Sequence, residues 1–540
     1  MPLTRRSKIL FFLALLAVSL GGMLALWRST PFGMGLVNDS SYYVEGAANL
    51  LAGKGFVRFS GGGELKPITH FPPLFSLVLA GFGLTGMDLL AGARLLITLL
   101  FGIDILLVGL SVYKISRSAP FAIFGALVLA CSDVFLGVFS FALSEPLFLT
   151  LMLVAFLTLA QSFAQRSWYW PFLAGFLLSL AYLARYAGAS LFITALLAII
   201  LLKSPSSTPR AGASILSRSP LREVLLLLAG AFLPVLAWNL YNLFTSHSGV
   251  LSNRQVAWHP VSFKVLFEAL KNLLTWAAPN DLLRSFPIAG RLLSLFSLLL
   301  LPALFGWLAW LIWQRLKKSG ELQAPADSLG LALTHALHIP IYLAFLVISL
   351  SFFDASTPLN DRILSVIYLP GIILFASGLA WVWKALASRA VIFRWLLGFS
   401  CLLFLLFSTQ DGLAAVRQLS TQGQGFAHQG FQQSQIIQAV RNLPEIILYS
   451  NKPTAIYLLT GRNAYIIPTP TDSVTGLDRS NYAADRDLIQ QRVRQGQALL
   501  ILFGLRNSQD ADEVALFEDL SSGLPILADY GDGVIFGLAP

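Results

Sequence analysis

Apolar runs of about 20 residues recur from the N-terminus to residue 409, and no other feature of the chain restricts its fold so tightly. A helix rises about 1.5 Å per residue, so each run is long enough to cross a hydrocarbon layer of about 30 Å. Inside lipid the backbone must satisfy its own hydrogen bonds, which leaves a helical bundle as the architecture for such runs. Eleven spans are expected, at about 8–27, 88–113, 119–138, 142–164, 169–185, 187–203, 222–244, 291–314, 329–352, 363–383 and 391–409. The apolar segment 72–86 is shorter and opens on Pro72-Pro73, so it reads as an interfacial or re-entrant helix. Run 8–27 follows Arg5, Arg6 and Lys8, and no small-residue cleavage site closes it; it reads as an uncleaved first helix.

Only 12% of residues are charged and 56% are hydrophobic, where a soluble domain carries about 25% charged. The net charge of +10 does not gather in one patch. Basic residues recur at the ends of apolar runs, which points to topology and lipid head groups and away from nucleic acid. With the N-terminus in the cytoplasm, the clusters Arg5–Lys8, Lys114 and Arg117, Arg210–Arg222, Arg315–Lys318 and Lys384–Arg394 all fall inside. The expected protein is a multi-pass protein of the inner (plasma) membrane. Three segments then lie outside: a first loop at 28–87, a second at 245–290, and the tail at 410–540. Cys131 and Cys401 both sit in apolar runs, so neither a disulfide framework nor a Cys/His metal site is indicated.

The tail changes character. Residues 410–435 are rich in Gln, Gly and Ser and read as a linker between a transmembrane domain, 1–409, and a soluble extracytoplasmic domain, 436–540. Within that domain, strand-like runs at 446–450, 498–503, 525–528 and 533–537 alternate with helical stretches such as 486–495. This alternation predicts a small α/β domain. It contains no phosphate-binding loop and no nucleophile motif.

The first outer loop carries the most chemistry. Tyr43, Ala47, Leu50 and Leu51 have helical spacing, which predicts a short amphipathic helix on the membrane surface, ended by Gly53 and Gly55. Asp39 falls at its start, where it serves either as a helix cap or as a catalytic base. Tyr43 and Lys54 flank the same helix, and His70 stands just before the Pro-Pro pair. Glu145, in Ser144-Glu145-Pro146-Leu147-Phe148, and Asp133 lie at outer ends of spans. Carboxylates at membrane depth are costly and point to function, unless they only complement a helix dipole. Arg185 and Arg362 end and begin spans on the same face, and Arg254 and His259 lie in the second outer loop. Such arginines either snorkel to lipid or hold a phosphate bidentately.

Asp39 with Tyr42-Tyr43, the trailing Leu50-Leu51-Ala52-Gly53-Lys54-Gly55-Phe56 and the Pro72-Pro73-Leu74 segment resemble the first outer loop of GT-C glycosyltransferases. The nearest group is glycosyltransferase family 39, the protein O-mannosyltransferase and aminoarabinose transferase relatives. Ser144-Glu145-Pro146-Leu147-Phe148, Arg185-Tyr186, Pro234 with Trp238 and Asn242, and Arg362 with Pro370 extend the resemblance over roughly 1–410. It departs at Ser40, where an acidic pair is common, and at His70-Phe71, where aminoarabinose transferases tend to carry Glu-Lys.

The resemblance implies a GT-C-like transmembrane bundle that moves a sugar from a polyprenyl-phosphate-linked donor to a lipid, glycan or protein acceptor, with inversion. Asp39 matches the family's base, and His70, Glu145, Arg185, Arg362, Lys54, Tyr43 and His259 are candidates for holding donor phosphate or substrate. Metal use varies among such enzymes, which leaves a divalent cation open, although no carboxylate-rich cluster is evident here. Two competing classes are a transporter or flippase of a lipid-linked substrate and an O-antigen ligase or polymerase. The first favours charged or broken helices at mid-membrane, where Asp104 stands isolated. The second usually carries its long outer loop late among the spans.

Overall fold

The computed structural model describes residues 4–539 except 60–64, 166, 204–219, 246–255, 257, 259, 278–325, 354–356, 387–390, 472–477 and 506–509. Fourteen helices are described up to residue 422. They are α1 (Arg5–Ser29), α2 (Asn38–Leu51), α3 (Leu74–Leu84), α4 (Leu89–Ser116), α5 (Ala119–Ala130), α6 (Asp133–Phe139), α7 (Glu145–Ala164), α8 (Tyr169–Ala184), α9 (Gly188–Lys203), α10 (Pro220–Thr245), α11 (Phe263–Ala277), α12 (Ala326–Phe352), α13 (Asp361–Ala385) and α14 (Val391–Gln422).

Seven of these, α1, α4, α7, α10, α12, α13 and α14, are long and apolar enough to cross a membrane. This is a multi-pass membrane protein, but the expected count of eleven spans is not reproduced among the described residues. The run 119–138 is not one straight helix: α5 and α6 meet at a 57° bend. The bend falls where Ser132 leaves helical geometry and its Oγ accepts from Phe135 N at 3.3 Å, capping α6 afresh. The runs at 169–185 and 187–203 form α8 and α9, each of 16 residues, short of a full span. The segment read as interfacial is the 11-residue α3, entered from Pro73. The span expected at 291–314 lies outside the described residues, as do Arg254 and His259.

Buried Phe101, Phe135, Phe139, Phe148 and Phe156 centre the bundle. Small residues bring two helices together at one crossing. A Cβ on Gly175 of α8 would lie 1.8 Å from Leu227 O, and one on Gly230 of α10 would lie 2.0 Å from Phe172 O. Only glycine permits backbones that close.

The two ends of the bundle differ. At one end Lys114 pairs with Asp327 at 3.1 Å, and Lys384 Nζ donates to Ser116 O. At the other end stand Glu145, Arg185 and Arg362. Within helix α13, Arg362 and Lys384 stand at opposite ends, a rise of roughly 33 Å at 1.5 Å per residue and so about one bilayer core.

Helix α14 continues to Gln422, so residues 410–422 of the expected linker are helical. Then follow α15 (Gln429–Gln432), α16 (Gln435–Asn442), β3 (Ile447–Ser450), α17 (Pro453–Thr460), β4 (Tyr465–Ile466), α18 (Tyr482–Arg494), β5 (Ala498–Phe503), α19 (Ala511–Ser521), β6 (Ile526–Tyr530) and β7 (Gly533–Phe536). They build a five-stranded sheet of order β4-β3-β5-β7-β6. Strand β3 runs parallel to β4 and β5, which helical crossovers permit, while β7 is antiparallel to β5 and β6. Every residue of β5 is buried, the mark of a central strand covered on both faces.

This tail rests on the first outer loop. Strands β1 (Val57–Phe59) and β2 (Leu65–Pro67) form a hairpin there, and the Phe59 ring meets Tyr465 edge-on at 5.1 Å. Phe426 N donates to Leu36 O at 2.7 Å, and Ser140 Oγ bonds to Gln424 Oε1. Burial, and next the nearby Glu45 carboxylate, push the Tyr457 hydroxyl of α17 up to about 12.

Candidate active site

The N-cap of helix α2 is Val37, whose N–H donates to Ser40 Oγ at 3.1 Å. That side chain closes the helix start, so the cap reading of Asp39 is not what the structure shows. The Asp39 carboxylate instead leaves the helix and accepts from Arg362 Nη2 at 2.5 Å. Arg362 sits in the first turn of α13, behind the Asn360 cap, whose Oδ1 accepts from Ile363 N at 3.3 Å.

Glu145 opens α7 beside Pro146, as a helix-start carboxylate would. It does more than complement a dipole. Its side chain is 1% exposed, and Oε1 accepts both Arg185 Nη1 at 2.6 Å and Arg362 Nε. Arg185 reaches it from the C-terminal end of α8, where the chain turns extended. A carboxylate this buried persists only when paired. The result is one chain of charges, Asp39–Arg362–Glu145–Arg185, with two cations balancing two anions.

Tyr43 supports this chain from α2. Its hydroxyl bonds to Ser144 Oγ at 2.8 Å and its ring packs edge-on against Phe75 at 5.1 Å. Burial raises its hydroxyl above the ordinary tyrosine range, and the facing Arg185 only partly offsets this. Tyr43 is therefore a packed hydroxyl, held neutral.

The charge chain floors a cleft of about 330 Å³, whose polar wall includes Asp39, His70, Arg185, Tyr186, Asn360 and Arg362. Phe345, Leu346 and Ile363 form an apolar wall beside it. His70 stands exposed at the rim, its ring 4.9 Å from Phe71. The loop that carries it is tied to the bundle. Tyr186 Oη donates to Thr69 O at 2.8 Å, and accepts from Trp238 Nε1 at 3.1 Å and Asn242 Nδ2 at 3.4 Å. Tyr241 Oη donates to Phe56 O at 2.9 Å.

Thus Asp39, Tyr43, His70, Arg185 and Arg362 come together, with Glu145 beneath them. Lys54 does not join them; it lies exposed in the turn after α2. Asp133 stays at the start of α6, its Oδ1 accepting from Val134 N at 2.9 Å. Sequence reasoning passed over Tyr342, which lines the cleft from α12 and donates to Ile363 O at 3.0 Å. A tyrosine inside an apolar run, whose hydroxyl must find a partner, was the available signal. His335 and His338, buried in the same helix, were also passed over. Among the described residues no three His, Cys, Asp or Glu side chains are grouped to hold a metal.

No protein-family model matches the sequence, and no curated protein is a significant match to it. Solved structures do match over nearly the whole chain. ArnT from Cupriavidus metallidurans bound to undecaprenyl phosphate superposes with a TM-score of 0.52 at 13% identity, covering 98% of this chain and 97% of that one. The oligosaccharyltransferase AglB from Archaeoglobus fulgidus, in complex with an inhibitory peptide and a dolichol-phosphate, gives 0.51 at 14%, covering 96% and 71%. The mycobacterial arabinofuranosyltransferase AftD (mutant R1389S) gives 0.51 at 13%, covering all of this chain and 42% of that one. At such identities the likeness is one of fold: the chain has the GT-C-like architecture, a helical membrane bundle with a small sheet-containing domain at its C-terminus.

Proposed function

We propose that the protein is an inverting glycosyltransferase that takes its sugar from a polyprenyl-phosphate-linked donor and acts in the cleft between α2, α8, α12 and α13. One observation carries the reading: Asp39, Arg185 and Arg362, drawn from three distant segments, line a single cleft at one end of a membrane bundle, and the buried Glu145 beneath it pairs with both arginines. The fold adds support, since its solved relatives include one bound to undecaprenyl phosphate and one bound to a dolichol-phosphate. The basic cluster at the far end of the bundle favours a cytoplasmic N-terminus and a cleft and tail outside, in the periplasm or its equivalent.

In this reading the arginines bind the donor phosphate, and Arg362 is the switch. Without donor it holds Asp39. An arriving phosphate offers a stronger bidentate partner, and the Asp39 carboxylate is released to the cleft. The acceptor hydroxyl then attacks the anomeric carbon from the face opposite the phosphate. Its O–H proton passes to Asp39, a C–O bond forms, and the bond from the anomeric carbon to the phosphate oxygen breaks. The electron pair leaves with polyprenyl phosphate, whose added charge Arg185 and Arg362 neutralise. The leaving group needs no proton, so a single base is enough. The apolar wall of Phe345, Leu346 and Ile363 suits the first isoprene units.

The test is Asp39→Asn in the full chain. Sugar transfer should be lost while the folded protein is recovered from detergent and still binds a polyprenyl monophosphate. Full transfer by this variant removes Asp39 as base. Mass spectrometry of membrane lipids from cells lacking the protein should show one polyprenyl-phosphate sugar accumulating; an unchanged lipid profile contradicts the donor class.

A further inference from the structure

Helix α11 belongs to none of the chemistry above, yet it touches the element that aims Arg362. Val265, Ala269, Leu273 and Trp276 lie along one side of it at helical spacing and pack toward the bundle core, with Asn272 beside them. From this side two hydrogen bonds bracket the start of α13. Asn272 Nδ2 donates to Leu359 O at 2.8 Å, just before the Asn360 cap. Trp276 Nε1 donates to Asp361 Oδ1 at 3.0 Å, just after it. The Trp276 indole also lies flat on Tyr368, with ring centroids 3.8 Å apart and planes 12° apart. Asp361 and Tyr368 are seven residues apart and share a face of α13, so one indole spans its first two turns. Arg362 is the next residue, about 100° round the helix, on the side that meets Asp39 and Glu145.

We propose that Trp276 is a positioning residue for Arg362: it sets the rotation of the first turn of α13, and through it the direction of the guanidinium that receives the donor phosphate. The physical case is local. The first turn of a helix has free N–H groups and frays readily. If it unwinds by one residue, each side chain swings by about 100°. The Asn360 cap and the Ser365 hydroxyl, which donates to Arg362 O at 2.7 Å, hold this turn from within, and Tyr342 of α12 donates to Ile363 O. Trp276 and Asn272 hold it from outside on both sides of the cap.

The inference rests on the proposed donor chemistry, and the experiment separates the two. The full-length protein in detergent is titrated with a short-chain polyprenyl monophosphate, and apparent Tm is recorded in parallel. Trp276→Phe keeps an aromatic stack and removes one hydrogen bond. It should weaken binding about threefold to tenfold with little change in Tm. Asp361→Asn keeps a side-chain oxygen to accept from the indole and should bind as tightly as wild type. Should Trp276→Phe yield no folded protein, Asn272→Ala carries the same expectation. Wild-type affinity in Trp276→Phe or in its Asn272→Ala substitute, or a loss in Asp361→Asn as large as theirs, overturns the positioning role. A wild type that shows no saturable binding overturns the donor assignment and this inference with it.

Discussion

Glu145 and Asp39 are both carboxylates on Arg362, and the structure assigns them opposite sensitivities. Glu145 is 1% exposed and receives two guanidiniums through one oxygen, while Arg185 is 18% and Arg362 27% exposed. Removing one partner of a fully buried pair costs about 3–5 kcal/mol, because the remaining charge stays desolvated. The arginines here keep some solvent, so Glu145→Gln should cost about 2–4 kcal/mol. Asp39 is 29% exposed and pairs with Arg362. Asp39→Asn should cost about 0–1 kcal/mol, as for a surface pair. The assay is thermal unfolding of detergent-solubilised full-length protein at one scan rate, since unfolding of a protein this size is commonly irreversible. Glu145→Gln should lower apparent Tm by several degrees, and Asp39→Asn should barely move it while ending transfer. If Asp39→Asn is the more destabilising of the two, or Glu145→Gln unfolds with wild type, the keystone role of Glu145 is wrong.

Other outcomes follow from the same geometry. Tyr186→Phe removes the hydroxyl that ties Thr69 to Trp238 and Asn242; a raised KM for donor is expected, with a stability loss of about 1–3 kcal/mol from stranded partners. Gly175→Val places side-chain atoms against the α10 backbone, and its Cβ alone would lie 1.8 Å from Leu227 O; a large fall in Tm or in the yield of folded protein is expected, measured by gel filtration in detergent. Burial raises the Glu45 carboxyl, while the Phe59 N–H and Arg58 lower it only in part. Its proton is therefore held more tightly folded than unfolded. The resulting stability is complete below the unfolded value of about 4.3 and is lost as pH rises through the folded value. Glu45→Gln, always neutral, should match wild type in acid and equal or exceed its Tm at neutral pH; a pH series of Tm in both proteins checks this.

The polytopic character and the grouping of polar candidates on one face were legible from the chain alone. Both depend on local quantities. Run length against bilayer thickness marks a span, and lysines and arginines at run ends mark its side. Strands β3, β5, β6 and β7 were legible for a similar reason, being short apolar runs between turns. The boundaries that failed were those where local signals compete. Ser132 and Asp133 break an apolar run that hydropathy averages over. Helix α14 carries on past its apolar half because 410–422 is Gln- and Ala-bearing sequence that a helix tolerates.

What Asp39 does in the folded chain was decided only by tertiary structure. Locally it stands where a capping residue stands, and a cap is the economical reading. Its actual partner, Arg362, is 323 residues away. No periodicity or spacing rule reaches that far, because the pairing exists only after α2, α7, α8 and α13 have packed. The same packing buries Glu145 between two arginines, turns Tyr342 from one aromatic in a span into a wall of the cleft, and leaves Lys54 outside. Sequence determined that this chain crosses a membrane and carries carboxylates and arginines at one end of its helices. Packing chose which of them share a charge, since that depends on distances of a few ångströms between segments that are strangers in sequence.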